Sequence, residues 1–237
     1  MSWHTKNTYG YLRSSTEAYD NAKMIYDILA YCGWQLAPIC AAIGNCEVES
    51  GYNPWRWQNE NILNKNDPII SVPNQQHAYG LFQQDPPSKY IYDAYAQSVW
   101  GYGPNYADEV GNTDDGSAQV FYLNNVCADQ NAGEWGDYWG SSYYMDFDVF
   151  IADTTHTPTY LAETFRVSYE RGNPSPDRGA AAEYWFSVFQ GVQPDPPPHP
   201  PTQHGRQIPV WLFVKIIKDR EKMHGKKLIY PKYYKKW

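Results

Sequence analysis

The stretch QLAPICAAIGNCEVES, residues 35–50, constrains the fold more than any other. Its small and apolar residues run nearly all round a helical wheel, so as a helix it has no broad face to offer to water and must be enclosed by other elements. Pro38 fits the first turn, where a missing N–H costs little, and Gly51 supplies the stop. With 237 residues and 42% apolar content, the chain can build one well-cored domain and an appendage.

Partners for that helix can be read on both sides of it. In STEAYDNAKMIYDILAYCGW, Ser15 or Thr16 caps a helix whose Ala18, Ala22, Ile25, Ile28 and Leu29 recur at helical spacing, and Gly33 ends it. Further helices are expected at 88–100, at 117–127, in TPTYLAETFRVSY with Thr157 as cap and Pro158 in first position, and at 178–190. Residues 52–79 fill with Asn, Pro, Gln and Trp and read as loops with a small hairpin, while 128–148 reads as irregular. The expected fold class is mainly α, with helices around a buried central one and a small loop and hairpin lobe.

The Pro-rich run QPDPPPHPPTQHG, residues 193–205, is the one clear linker, because prolines lock φ and remove donors. It separates an arm (1–14) and a body (15–192) from a tail (206–237) of opposite charge. From Gln193 onward there are ten basic residues against three acidic, and before it 9 basic against 23 acidic. In the tail, Pro209 can start and Gly225 can stop a short helix with Val210, Phe213, Val214 and Ile217 on one stripe. Docking to another protein, attraction to anionic polymers and folding back onto the acidic body all suit it. Nucleic acid is the least favoured partner, since no recognised binding module accompanies the basic and aromatic residues.

Other features narrow the function by exclusion. The four cysteines lack CxxC spacing and the six histidines are scattered, so buried free thiols are expected and no metal or cofactor. The first sixteen residues hold no apolar run of the kind a secretion signal needs, and no stretch approaches a membrane span. The chain is expected to reach any target outside a cell by other means. An aromatic content of 17%, with 22 Tyr and 10 Trp, suits surfaces that stack on sugars as well as ordinary core packing.

GNCEVESGYNP sets two carboxylates at the end of the central helix. Glu47 and Glu49, two apart, point about 200° from each other and cannot serve one reactant together. Glu49 falls three and seven residues after Cys46 and Ala42, on the core-facing stripe, whereas Glu47 shares a less apolar face. A carboxyl half withdrawn from water at a helix C-terminus is favoured in its protonated form, and a protonated carboxyl can donate to the leaving oxygen of a glycosidic bond. Capping of nearby backbone is the plainer alternative. About thirty residues on, AYGLFQQDPPSKY places Gly80 and the amides of Gln83 and Gln84 in a turn, and amides suit sugar hydroxyls and N-acetyl groups.

Together, ESGYNP and YGLFQ resemble the first two motifs of the lysozyme and lytic transglycosylase superfamily. More closely, GNCEVESGYNPW, YGLFQQDPPSKY and PTYLAETFRVSYERGNPSPDRGAAAEYW resemble the phage tail lysozyme family of virion-associated peptidoglycan hydrolases, over roughly residues 15–192. The resemblance implies an α+β lysozyme-like fold, Glu49 as general acid, and Tyr79, Gly80, Gln83 and Gln84 along the subsite cleft. Tyr169 stands where the superfamily has an active-site tyrosine, although SYERGNP departs from the usual YNAG. Asp85, with Asp67 behind it, is the nearest second carboxylate, or else a plain turn residue. Trp55 and Trp57 can stack on sugar or pack their loop, and Glu170 is read as a structural partner of Arg171 or Arg178 at a helix end.

The implied function is a virion-associated muramidase that cuts the peptidoglycan glycan between N-acetylmuramic acid and N-acetylglucosamine during infection, its tail bound to another tail protein. The alternatives are a lytic transglycosylase leaving 1,6-anhydro ends, the same muramidase acting at release, and a glycan-binding or structural tail protein that does not cut.

Overall fold

The computed structural model describes residues 3–4, 10–54, 56, 78–85 and 115–195. The chain divides into two compact units, 1–200 and 201–237, and every described residue lies in the first. The expected helix at 88–100, Trp55, Trp57, Asp67 and the basic tail lie outside the described residues. Among the described residues the order is α1 (Thr16–Tyr31), α2 (Leu36–Ser50), α3 (Asp115–Ala128), α4 (Phe147–Ile151), α5 (Pro158–Phe165), a π-helical turn (Arg166–Glu170) and α6 (Pro176–Phe189). No strand is formed there beyond a single antiparallel bridge between Tyr79 and Gln84. The protein is mainly helical, and no described helix is long and apolar enough to cross a membrane.

Helix α2 is the central element, packed against α1, α4, α5 and α6. Ala37 through Cys46 are buried without a break, as a wheel with no polar face requires. Its closest neighbour is α6. A Cβ on Gly44 would lie 2.4 Å from the Arg178 carbonyl oxygen and 2.8 Å from the Ala182 nitrogen, so the two helix backbones meet where only glycine fits. Around this contact, Ile39, Ile43, Leu161, Phe165, Trp185 and Phe189 form one core with Ile25, Ile28 and Leu29 of α1. Each of these aliphatic side chains contributes about 1.5–3 kcal/mol by leaving water.

The helix ends follow local chemistry. The Ser15 side chain accepts from the Ala18 N–H, the Thr157 side chain accepts from the Tyr160 N–H with Pro158 following it, and Gly51 closes α2 in the left-handed region at φ 56°. One element departs from the sequence pattern. TPTYLAETFRVSY does not stay α-helical throughout, but widens at Arg166–Glu170 into a π turn that Arg171 ends at φ 57°. Such turns relieve packing by pushing one residue outward and occur often beside functional sites.

The described chain is tied to the core at both extremes. Trp3 is buried and donates from Nε1 to Ser117 Oγ at 2.8 Å, and the Tyr11 N–H donates to the Gly51 carbonyl at 2.7 Å. Beyond α6, the Tyr26 hydroxyl donates to the Val192 carbonyl at 2.7 Å, and Lys23 bridges Asp27 and Asp195 at 2.7 and 2.9 Å. Cys40, Cys46 and Cys127 are buried thiols, and burial raises each of them well above the ordinary range, so they are unreactive packing residues.

Candidate active site

The last turn of α2 carries Glu47 and Glu49 on different faces, as their spacing dictates. Their side chains are equally exposed, 20% each. The expectation that Glu49 would be the more buried is therefore corrected. Arg13, from the segment before α1, lies over the outer face and covers Glu47. Its Nε and Nη2 donate to the two Glu47 oxygens at 2.7 Å each, and the Tyr52 hydroxyl donates to Glu47 Oε2 as well. Tyr52 in turn accepts from Trp185 Nε1 at 2.8 Å, which joins the cluster to the core. Both oxygens of Glu47 are thus committed to a clasp between the N-terminal segment and α2.

Glu49 is held on one side only. Arg178 Nη2 donates to its Oε1 at 2.5 Å, and Oε2 takes no hydrogen bond among the described residues. Arg178 is itself buried and donates from Nη1 to Asn45 Oδ1 at 2.8 Å. Asn45 stands one turn before Glu49 and donates to the carbonyls of Ala41 and Ala162 at 2.9 and 3.0 Å, so α2, α5 and α6 all help to orient the guanidinium. Of the partners the sequence offered for Glu170, Arg171 and Arg178, neither donates a hydrogen bond to it among the described residues, and Arg178 donates to Glu49. Arg171 also turns elsewhere: its guanidinium lies 3.7 Å over the Tyr138 ring and donates to the Tyr138 hydroxyl at 2.7 Å.

The segment after the π turn forms a wall beside Glu49. Arg166 Nη1 donates to the Gly172 carbonyl at 2.6 Å, and a Cβ on Gly172 would lie 3.0 Å from Arg178 Nη2 and 3.6 Å from Glu49 Oε1. Glu170, just before, keeps Oε1 buried with no hydrogen-bond partner among the described residues.

The glutamine turn meets the loop leaving α2 through Gln119 of α3. Gln119 Nε2 donates to the Pro54 carbonyl at 2.8 Å and its Oε1 accepts from the Leu81 N–H at 2.7 Å. Gly80, at φ 87°, lets that amide approach, since a Cβ there would fall 2.3 Å from Gln119 Oε1. Gln83 Nε2 donates to the carbonyls of Arg56 and Gly80 at 3.1 and 2.9 Å, and Tyr79 is fully buried, so both brace the turn. Gln84 donates to the Tyr169 hydroxyl, which brings the turn and the π-turn segment together. Burial raises the Tyr169 hydroxyl well above its ordinary range, so it stays a neutral phenol. Asp85 is exposed at the end of the turn, and no contact links it to Glu49 among the described residues.

The three sequence motifs are therefore neighbours in space, Glu49 with Gly172, Pro54 with Leu81, and Gln84 with Tyr169. Sequence reasoning missed Arg13, Asn45, Gln119 and the Arg178 contact with Glu49. Asn45 carried a local signal, four residues before Glu49 on the same helical face; the others join residues far apart in the chain. Among the described residues no group of His, Cys, Asp and Glu is arranged to hold a metal ion. A partly buried carboxyl fixed through one oxygen, with the other presented, can pass a proton to or from a bound molecule.

Comparison with known proteins gives this geometry a context. The family model described as phage tail lysozyme matches residues 20–189. A curated relative, Morphogenesis protein 1 of Bacillus phage B103, is 31% identical over 191 residues, which is 80% of this chain and 44% of that protein. The chain thus spans less than half the length of the curated relative it matches.

Proposed function

Starting from the fact that the chain belongs to the phage tail lysozyme family, we propose that it is a virion-associated peptidoglycan hydrolase with Glu49 as its general acid. The observation that carries this reading is the contrast in coordination at the end of α2: Glu47 spends both oxygens on Arg13 and Tyr52, whereas Glu49 offers Oε2.

In this reading, Glu49 gives its proton to the oxygen between N-acetylmuramic acid and N-acetylglucosamine as the bond breaks. Arg178, already on Oε1, stabilises the carboxylate left behind and keeps it aimed, and Asn45 keeps Arg178 in place. Gly80, Gln83, Gln84 and Tyr169 form the facing wall, with Tyr79 beneath it and Trp55 following the catalytic helix. Water then completes hydrolysis. Asp85 would be the base that activates it. The family, and the relative's name as a morphogenesis protein, support a place in the phage particle, where the enzyme would open the wall locally during infection. The basic tail would attach it to another tail protein.

Mass spectrometry of fragments released from purified peptidoglycan tests the reading. Reducing muramic acid ends, formed by the wild-type chain and absent with Glu49→Gln, are expected. Anhydro ends would make the protein a lytic transglycosylase, and no fragments from several wall types would leave a glycan-binding or structural role.

A further inference from the structure

The loop between α3 and α4 has no place in the chemistry above, yet it holds three exposed aromatic rings within six residues: Tyr138 at 42%, Trp139 at 63% and Tyr143 at 38%. The other exposed aromatics among the described residues, Tyr19, Tyr31 and Tyr184, stand on α1 and α6, scattered singly as is ordinary for a surface. Trp139 makes no hydrogen bond and no ring contact among the described residues. An indole left in water forgoes the stabilisation that burial of its apolar surface would bring.

The loop that carries these rings is braced at several points. Trp135 packs against Phe147, Phe150 and Phe165 and donates from Nε1 to the Met145 carbonyl at 3.0 Å. The Gly136 N–H donates to the Ser168 carbonyl of the π turn at 3.1 Å, and the Ser141 N–H donates to Asp137 Oδ1 at 3.0 Å. Tyr143 meets the Tyr160 ring of α5 at a centroid distance of 5.0 Å. Arg171 Nη2 donates to the carbonyls of Gly133 and Glu134 at 3.2 Å each, in addition to its hold on Tyr138. A braced frame that keeps rings in water is preorganised for a ligand, because the cost of ordering it is met before binding.

The same frame ties the rings to the candidate active site. Arg171, which lies over Tyr138, is followed directly by Gly172, whose Cβ would lie 3.6 Å from Glu49 Oε1. We propose that Tyr138, Trp139 and Tyr143 form a further subsite, outside the cleft at Glu49, that stacks on N-acetylhexosamine rings of a glycan strand. The inference rests on the reading of the site at Glu49 as one that cleaves glycan. Aromatic faces carry the negative side of the ring quadrupole and suit the C–H faces of a sugar ring. Residues 129–146 hold four acidic side chains and no basic one, so they can accept from sugar hydroxyls while repelling polyanions such as nucleic acid or anionic wall polymers. Between Gly133 and Tyr144 there is no aliphatic side chain to build the packed centre of a protein interface, which favours the glycan over a protein partner.

The test is calorimetric titration of the full chain carrying Glu49→Gln, with and without Trp139→Ala, against chitotriose and chitohexaose, the β-1,4 oligomers of N-acetylglucosamine. Thermal unfolding is measured alongside. Trp139→Ala is expected to weaken hexamer binding about tenfold and trimer binding much less, with the unfolding midpoint unmoved. Trp139→Phe, which keeps a flat face, is expected to restore most of the hexamer affinity. An unchanged hexamer affinity in Trp139→Ala overturns the proposal and leaves the rings to a protein partner. Absence of hexamer binding before Trp139 is changed also overturns it. So does an equal loss at both lengths, or a loss that Trp139→Phe does not restore, because either reports a disturbed loop and not a lost stacking face. Should the wild-type chain release no fragments from any wall, the enzyme reading fails, while the hexamer titration still decides whether the rings hold glycan.

Discussion

Glu47 and Glu49 leave the same helix end two residues apart, with the same 20% of side-chain surface exposed, and they are put to different uses. Around Glu47 both oxygens are engaged: two nitrogens of Arg13 and the Tyr52 hydroxyl meet them. Around Glu49 a single buried arginine holds one oxygen. Exposure does not separate the two carboxyls, and coordination does. A saturated carboxylate is a clamp, because giving up its charge would break three contacts, whereas a half-coordinated one can change protonation and keep its aim.

That contrast is open to direct attack by substitution, and the largest effect is expected at Glu49. Glu49→Gln removes the transferable proton and keeps the shape, so kcat should fall about 10²–10⁴-fold while the unfolding midpoint and glycan binding stay close to wild type. Activity within a few-fold of wild type would move the acid elsewhere. Glu47→Gln should show the reverse profile. Loss of the charged contact to Arg13 should cost about 1–3 kcal/mol and lower the unfolding midpoint by several degrees, with turnover on peptidoglycan reduced only modestly.

Smaller changes sharpen the same distinction. Tyr169→Phe removes the hydroxyl that accepts from Gln84, a contact at the cleft wall and not in the clamp. It should lower kcat/KM by about 2–10-fold, the worth of one hydrogen bond, without moving the pH profile. The smallest expected effect is on stability against pH. Because Glu170 is raised in the folded chain, its contribution to stability is present in full below its ordinary 4.5 and is lost as pH rises toward the folded value. Thermal unfolding of Glu170→Gln from acid to neutral pH should therefore give a flatter curve than wild type, and parallel curves would count against a raised Glu170.

Much of the scaffold was legible because it is written in local patterns. The unbroken apolar circumference of α2 required burial, and Ser15, Thr157, Pro158 and Gly51 carry helix-end chemistry that acts within a turn or two. The π turn was not legible, since LAETFRVSY keeps an ordinary helical pattern and the widening is set by tertiary packing. The difference between Glu47 and Glu49 was legible only as a difference of faces. What decides their use comes from 34 residues upstream in Arg13 and 129 residues downstream in Arg178, and no periodicity reports such distances. The hydrogen bond from Arg178 to Glu49 was hidden for the same reason: nearness in sequence offered Arg171 or Arg178 as partners of Glu170, while Arg178 bonds Asn45 and Glu49 on α2.

The most direct test of the account is a side-by-side measurement of initial rates of glycan cleavage by Glu47→Gln and Glu49→Gln, each confirmed to be folded. Glu49→Gln is expected to release almost no fragments while Glu47→Gln retains most of the wild-type rate. A Glu49→Gln protein that cuts normally, with Glu47→Gln inactive although folded, would contradict it and place the reacting carboxyl in the clamp with Arg13.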